Sequence, residues 1–526
     1  MEHSPLGENM EKAFESKILN KIFKVIIDIS TNNRLLSILN SSKTTLFGKL
    51  IQKIIDYSLI PIDYKLFDEH QGAKQAFLGE RLAKKYKTVF GGYLIEFIKK
   101  YLRDWHVRQQ KNTRIRPPLR KLNDIKKTYK GWNQKKAYLQ PDWTIFPENK
   151  IENIKIFDKD ELTPFERIDR LIKGKSVDRV AFGPQFEWAV PFFGGSNLWK
   201  HCYDGIETGW AQLNAWIRAG GMDFLPTGFG LGAYSLPYPD THSRFFYNWT
   251  YPSDNVVPQF VEKKILRTYD DLYNYGMSGL AQEITKRMIR DVFITIREFL
   301  YLNKVKMHYF GKYYDQFYPY AEGLFAVWDI LPMWRGMIPF MKDTLKRPEV
   351  VKEAFNFLNK PMTDLMIKLG KLINGKIALV GNSRGSNSYV SPQLFRELYW
   401  PSMKYTLNKL IENNIIPMCH LDNDWTENMS VFVEELPKRS CIFHLDQVDL
   451  VEIHEIVGDH FCLMGGMSPA LLVYGSSEKV EMETKRYIDN IARDGLIIAS
   501  GCEYPADTPA KNLYAQKTAI KKYGFF

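Results

Sequence analysis

Four short apolar runs follow one another between Asn414 and Glu503, and they constrain the fold of this chain more than any other feature. The runs read IIPMCHLDND, CIFHLDQVD, HFCLMGGMSP and LIIASGCEYP, and charged or helix-like sequence separates them. Continuous apolar runs of this kind are typical of strands that are buried on both faces, as in parallel sheets. Each run ends in small or polar residues, so the sequence predicts four parallel strands with chemistry at their carboxyl ends.

The rest of residues 151–526 continues this alternation. Further strand-like runs are VDRVAFGPQFEWAV and GKIALVGNSRGSN, and AWIRAGGMDFLPTGFG is a candidate for a second strand region. A helix is expected to begin at Pro164, because Thr163 and Glu166 form a capping box, and to end at Gly174. Strands that alternate with helices predict an α/β fold, and about eight such units predict a (β/α)8 TIM barrel over residues 151–526.

Residues 1–150 differ in charge from the rest of the chain. They contain 29 Lys and Arg against 15 Asp and Glu, whereas the remainder has 43 against 45. Their apolar spacing predicts a mainly helical, basic extension. The basic stretch at 99–136 fits a solvated or subunit-packing arm, a docking surface for an acidic partner, or a segment that contacts a nucleic acid or an anionic membrane. No nucleic-acid-binding module accompanies it, so we expect no nucleic-acid partner.

Cysteine usage and hydropathy indicate the compartment. Five cysteines, an odd number, are scattered and lie mostly inside apolar runs, which fits a reducing environment better than a disulfide framework. No apolar run approaches the roughly 20 residues that a membrane-spanning helix needs, and the first residues lack the order of a secretion signal. The sequence therefore predicts a cytoplasmic protein without a transmembrane segment.

Two of the strand ends carry good metal ligands. His420 and Asp422 are two residues apart on one predicted strand, so their side chains leave the same face. Cys502 follows the last predicted strand. One imidazole, one carboxylate and one thiolate can hold zinc and leave its fourth coordination position open to a substrate. We therefore predict a zinc site formed by His420, Asp422 and Cys502.

Other strand ends supply candidate catalytic and cofactor-binding residues. Glu187 ends the first predicted strand and could be a proton donor, an additional ligand or an ordinary pocket carboxylate. Asp424 lies close to the predicted ligands, and we take Glu187 and Asp424 as the candidate catalytic groups. The glycine-rich loop with Gly465, Gly466 and Ser468 can present backbone N–H groups to a cofactor or an anion.

Several motifs occur together in an order that resembles a known family. They are T-x-x-E-R followed by V-D-R-V, His420-x-Asp422, Gly465-Gly466-Met467-Ser468-Pro469 and Ser500-Gly501-Cys502. In order and spacing, residues 160–526 resemble the uroporphyrinogen decarboxylase superfamily, and most closely its cobalamin-dependent methyltransferases. The first 150 residues lie outside the resemblance.

The resemblance implies a zinc-dependent methyltransferase. Such an enzyme moves a methyl group between a small methylated substrate, or a thiol acceptor, and a corrinoid. The corrinoid (cobalamin) is expected on a partner protein, because this chain has no Asp-x-His-x-x-Gly motif, and a homo-oligomer is possible. In the methyltransferases that the chain resembles, a His-x-Cys pair and a later Cys hold the zinc. Asp422 takes the place of the first of those cysteines. A carboxylate is a harder ligand than a thiolate and would leave the metal more electrophilic. The alternative is that Asp422 is not a ligand and that the site holds something other than zinc.

Two other functions fit parts of the sequence. A uroporphyrinogen-decarboxylase-like lyase is expected to hold its many substrate carboxylates with an arginine-rich segment after the first strand, but GPQFEWAVPFFGG contains no arginine. A non-catalytic barrel scaffold would need no metal, whereas His420 and Cys502 are retained at strand ends. Metal content separates the methyltransferase from both alternatives.

Overall fold

The computed structural model describes most of the chain from residue 151 onward. The described residues are 151–186, 189–195, 205–225, 266–270, 272, 306, 309–318, 320–321, 326–372 and 375–526. The predicted basic helical extension, residues 1–150, lies outside the described residues, so its predicted boundary and structure stay predictions. Within the described part, no helix combines the length and apolar character that crossing a membrane requires.

The described strands form one parallel sheet. Its seven strands are β1 (Ala181–Phe182), β2 (Tyr320–Ala321), β3 (Ile377–Asn382), β4 (Ile416–Leu421), β5 (Ile442–Leu445), β6 (Cys462–Met467) and β7 (Leu496–Ser500). The order across the sheet is β1-β7-β6-β5-β4-β3-β2, and every neighbouring pair is parallel. The predicted α/β class is confirmed, and the four runs between Asn414 and Glu503 form β4 to β7.

The strand order is that of a barrel. Strands β2 to β7 follow one another in chain order, and the first strand, β1, pairs with the last, β7. A sheet whose first and last strands are neighbours curls back on itself, as the strands of a TIM barrel do. Residues 222–225 approach the free edge of β1, because the amide of Asp223 donates to the carbonyl of Phe182 over 2.7 Å. They occupy the place expected of the second barrel strand.

Alternate residues of each strand face two different cores. The inward-facing side chains form one apolar cluster: Ala181, Ile377, Met418, Ile442, Cys462, Met464, Ile497 and Ala499. The intervening residues, such as Phe182, Val380, Cys419 and Phe443, pack in a second cluster with the surrounding helices. Because side chains alternate along a strand, His420 on β4 and His444 on β5 share the inward face of Met418 and Ile442.

Helices connect the strands and cover the sheet. The α-helices are Pro164–Ile172, Val190–Phe193, Gly205–Arg218, Val327–Arg335, Met337–Lys346, Pro348–Leu372, Pro392–Leu394, Trp400–Glu412, Met429–Glu435, Leu450–Val457, Pro469–Tyr474, Ser477–Gly495 and Ala510–Tyr523. A π-helical turn occupies Phe395–Tyr399, and 3-10 turns occupy Gly311–Gln316 and Thr426–Asn428. The predicted capping box is confirmed, since Glu166 N donates to Thr163 Oγ1 and Thr163 N to Glu166 Oε2.

A buried ionic network joins the first helix to the amino-terminal end of β1. Arg167 contacts Asp178 at 2.6 Å and Asp223 at 2.6 Å, and Arg179 contacts Asp160 at 2.6 Å and Asp223 at 2.8 Å. Burial alone would raise the pKa of Asp178, but hydrogen bonds from Arg167 and two backbone amides lower it to about 2. The T-x-x-E-R and V-D-R-V motifs thus meet in one cluster of two arginines and three aspartates. It lies on the side of the barrel opposite the strand ends that carry His420 and Cys502.

Candidate metal site

Three potential metal ligands converge at the carboxyl ends of β4 and β7. His420 lies on β4, Asp422 directly follows that strand, and Cys502 follows β7. The distance from His420 Nε2 to Asp422 Oδ1 is 3.1 Å, and the distance from His420 Nε2 to Cys502 Sγ is 3.6 Å. One donor atom from each residue lies within 4.8 Å of the other two. The fold therefore brings His420 and Cys502 together although they are 82 residues apart in sequence.

The spacing of these atoms suits a tetrahedral ion. Zinc binds nitrogen and oxygen at about 2.0–2.2 Å and sulfur at about 2.3 Å, so tetrahedral ligands of one ion lie about 3.3–3.8 Å apart. The His420 to Cys502 distance of 3.6 Å falls in that range, and the His420 to Asp422 distance of 3.1 Å is slightly below it. A small movement of the Asp422 side chain, which is 36% exposed, closes the difference.

The charges around His420 favour a cation at this place. Burial alone would lower the pKa of His420, but the negative charges of Asp422 and Cys502 raise it well above its ordinary value. Burial alone would likewise raise the pKa of Asp422, and the positive charge of His420 lowers it instead. The negative charges that raise the pKa of His420 would also favour a metal cation among these three side chains.

A second histidine, His444, lies directly beside His420. The two residues are register partners on β4 and β5, and their Nδ1 atoms are 2.8 Å apart. His444 Nε2 is 2.9 Å from the carbonyl oxygen of Ser500, and the side chain is fully buried. Burial, reinforced by the charge on His420, lowers the pKa of His444 to about 3, so the ring is neutral.

A buried carboxyl group, Asp446, completes this end of β5. It is 8% exposed, and its Oδ1 atom has no hydrogen-bond partner among the described residues. Burial and the nearby negative charge of Asp422 raise the pKa of Asp446. The sequence marks His444 and Asp446 only as part of an apolar run and its polar end. The signal that could have singled them out is their register with His420 on the neighbouring strand.

The remaining predicted catalytic residues are placed differently. Glu187 lies outside the described residues. Asp424 is exposed, and its Oδ1 accepts hydrogen bonds from the amide and the hydroxyl of Thr426, over 2.9 and 2.8 Å. That arrangement begins the helical turn at Thr426–Asn428. The structure therefore gives Asp424 a local structural contact and does not place it among the three converging donors.

The glycine-rich loop packs tightly against the candidate site. Gly465 has φ 96°, and a Cβ atom there would lie 2.6 Å from Leu445 O and 2.9 Å from His444 Cδ2. A Cβ atom on Gly466 would lie 2.2 Å from the Leu450 side chain. Ser468 caps the helix Pro469–Tyr474 through its side-chain oxygen. Close packing thus accounts for both glycines, and their predicted contact with a cofactor stays a prediction.

Comparison with known proteins supports the resemblance found in the sequence. Residues 326–523 match the family model described as uroporphyrinogen decarboxylase (URO-D). Among solved structures, a methyltransferase from Methanosarcina mazei is similar, with a TM-score of 0.53 and 15% identity, over 69% of this chain and 99% of that chain. At this identity the similarity establishes the fold alone. No curated protein matches the chain. The suspected resemblance to the URO-D superfamily is confirmed, and the fold is TIM-barrel-like.

Proposed function

We propose, with the similarity to the uroporphyrinogen decarboxylase family as the premise, that this chain is a zinc-dependent methyltransferase. It would transfer a methyl group between a small methylated substrate, or a thiol acceptor, and a corrinoid carried by a partner protein. The observation that carries the proposal is the convergence of His420, Asp422 and Cys502 within 4.8 Å at the carboxyl ends of two parallel strands. Working residues of TIM barrels occupy this position.

Each of the three side chains would supply one ligand atom to the ion. His420 would bind through Nε2, which faces both other donors. Cys502 would bind as a thiolate and Asp422 through a carboxylate oxygen, which gives two anionic donors for a divalent cation. When bound with an open position, zinc makes a thiol available as thiolate or a substrate heteroatom a better leaving group. Glu187 and Asp424 remain the predicted groups for proton transfer.

The arginines upstream of the site do not suit a porphyrinogen decarboxylase. Arg167 and Arg179 are fully buried and already bound to carboxylates at the other end of the barrel. The stretch after β1 contributes Phe186 and Phe193, which stack on each other with ring centres 4.6 Å apart. An arginine cluster that could bind the substrate's carboxylates is therefore missing from the described part of this stretch, and methyl transfer is the better proposal.

The corrinoid partner is proposed from chemistry and charge. The 43 basic and 45 acidic residues after position 150 nearly balance, whereas residues 1–150 carry 14 more basic than acidic residues. An extension of this charge would attract an acidic corrinoid protein and increase the rate of encounter at low salt. The small substrate would enter at the barrel mouth beside His420.

Methyl transfer can be measured directly with free cobalamin in place of the partner. Purified full-length protein loaded with zinc is expected to methylate cob(I)alamin from at least one of a panel of methoxylated, methylthio and methylamine compounds. In the opposite direction, it would demethylate methylcobalamin in the presence of a thiol acceptor. Absorbance follows both reactions. A preparation from zinc-supplemented medium that contains no zinc, or a zinc-loaded protein inactive in both directions, would contradict the proposal.

Zinc affinity is expected to fall with decreasing pH. The pKa of His420 is raised, so below that pKa the bound proton must leave Nε2 before zinc can bind. Displacing one proton costs about tenfold in apparent affinity per pH unit. Competition with a chelator of known pH dependence measures the effect between about pH 5.5 and 8.5. An affinity that is constant over this range would exclude His420 as a ligand.

A further inference from the structure

We propose that His444 is a positioning residue for His420, which it holds in the tautomer that carries its proton on Nδ1. In that tautomer Nε2 of His420 presents a free lone pair toward Asp422 and Cys502. This inference rests on the proposed function, because it concerns the same three donors. It assigns a role to a buried histidine that lies within an otherwise apolar strand.

The direction of the hydrogen bonds begins at Ser500. A backbone carbonyl can only accept, so the 2.9 Å contact between Ser500 O and His444 Nε2 requires the proton to be on His444 Nε2. In a neutral imidazole only one nitrogen carries a proton, so Nδ1 of His444 is then an acceptor. The side chain is fully buried and has no carboxylate in hydrogen-bond contact among the described residues, which disfavours a charged ring.

The contact between His444 and His420 then determines the tautomer of His420, the candidate ligand. His420 Nδ1 lies 2.8 Å from His444 Nδ1, a distance at which one atom must donate and the other accept. Because His444 Nδ1 accepts, His420 Nδ1 donates. The proton that remains to be placed on His420 is the one on Nε2, and that is the proton a metal ion would displace. The Nδ1 proton stays in both the protonated and the metal-bound forms.

The surrounding backbone holds His444 in place from two sides. Ser500, which accepts from His444, also donates its hydroxyl to the carbonyl of Cys502, so one residue contacts both His444 and a candidate ligand. Gly465 leaves room for the ring, since a Cβ atom there would lie 2.9 Å from His444 Cδ2 and 3.0 Å from Ser500 O. The contacts form a closed ring of four residues, from His420 through His444 and Ser500 to Cys502. The Cys502 sulfur completes the ring, because it lies 3.6 Å from His420 Nε2.

Replacement of His444 tests this role through metal affinity. His444→Phe keeps a buried ring but removes the acceptor, and it is expected to lower zinc affinity about 10–100-fold, as loss of an outer-shell partner of a metal-bound histidine does. His444→Gln offers both an acceptor and a donor and should recover a large part of the loss. His460→Phe is the matched control, because His460 Nε2 also contacts a backbone carbonyl, Leu436 O at 2.9 Å, outside the site. Circular dichroism establishes that each variant is folded.

A measurement on the unaltered protein keeps the inference testable if His444→Phe fails to fold. In zinc-loaded protein labelled with 15N-histidine, we expect His420 to carry a hydrogen-bonded proton on Nδ1 and none on Nε2. A proton on Nε2, or coordination through Nδ1, would overturn the inference. So would a folded His444→Phe variant with unchanged zinc affinity. If methyl transfer fails while zinc binds and the Nδ1 proton is present, the proposed function alone is wrong. If the protein binds no zinc, both are wrong.

Discussion

Replacing His420 with alanine is expected to abolish stoichiometric zinc binding. His420 Nε2 is the donor that faces both of the others, at 3.1 Å from Asp422 Oδ1 and 3.6 Å from Cys502 Sγ. Without it two donors remain, fewer than the three that catalytic zinc sites use. The loss in affinity should therefore exceed the roughly 10–100-fold that removal of an outer-shell partner costs. Metal analysis after dialysis and chelator competition measure it.

A second histidine–aspartate pair provides the control for this experiment. His454 Nε2 lies 2.9 Å from Asp494 Oδ2, with side-chain exposures of 18% and 44%, and it has no third donor of the kind found around His420 among the described residues. His454→Ala should bind zinc like the unaltered protein. If His420→Ala also binds one zinc with unchanged affinity, the ion occupies another place and the proposed site is wrong.

Replacing Asp223 with asparagine is expected to destabilise the barrel by about 3–5 kcal/mol, the usual cost of breaking a buried ion pair by removing one partner. Asp223 is fully buried and accepts from Arg167 at 2.6 Å, from Arg179 at 2.8 Å and from the amide of Phe182 at 2.7 Å. Burial alone would raise the pKa of Asp223, but the two guanidinium groups lower it. A neutral amide at this position removes the carboxylate that both guanidinium groups share, so each buried arginine loses one of its charged partners.

The change is measured as a shift in the urea unfolding midpoint, compared with an exposed pair in the same chain. Lys360 and Asp364 are 2.8 Å apart, with side-chain exposures of 70% and 40%. Surface pairs of this kind contribute about 0–1 kcal/mol, so Asp364→Asn should leave the midpoint nearly unchanged. An Asp223→Asn midpoint equal to that of the Asp364 variant would show that the network contributes little to stability.

The parallel strands were predictable because their signal is local. A strand buried on both faces must be apolar throughout, and β4 to β7 are each encoded by one short run. The alternation of side chains along a strand also correctly separates outward-facing Cys419 from inward-facing His420. The capping box at Thr163 and Glu166 was predictable for the same reason, since its two partners are three residues apart.

Contacts between strands could not be predicted in this way. His444 lies in the apolar run CIFHLDQVD, where a histidine is indistinguishable from a core residue until the register places it opposite His420. Gly465 is a second example. The sequence indicates only a glycine-rich loop that could bind a cofactor, whereas the packing of Gly465 on His444 is a contact between neighbouring strands. Asp223 is a further example, because its two arginine partners are 56 and 44 residues away.

By itself, the sequence determined the α/β class, the positions of the carboxyl-terminal strands and the three candidate metal ligands. Only the tertiary structure decided that β1 closes against β7, that His444 stands between His420 and Ser500, and that Asp223 pairs with two arginines. The physical reason is the range of the interactions. Burial and capping depend on neighbours in sequence, whereas strand register and buried charge pairing depend on groups that only folding brings together.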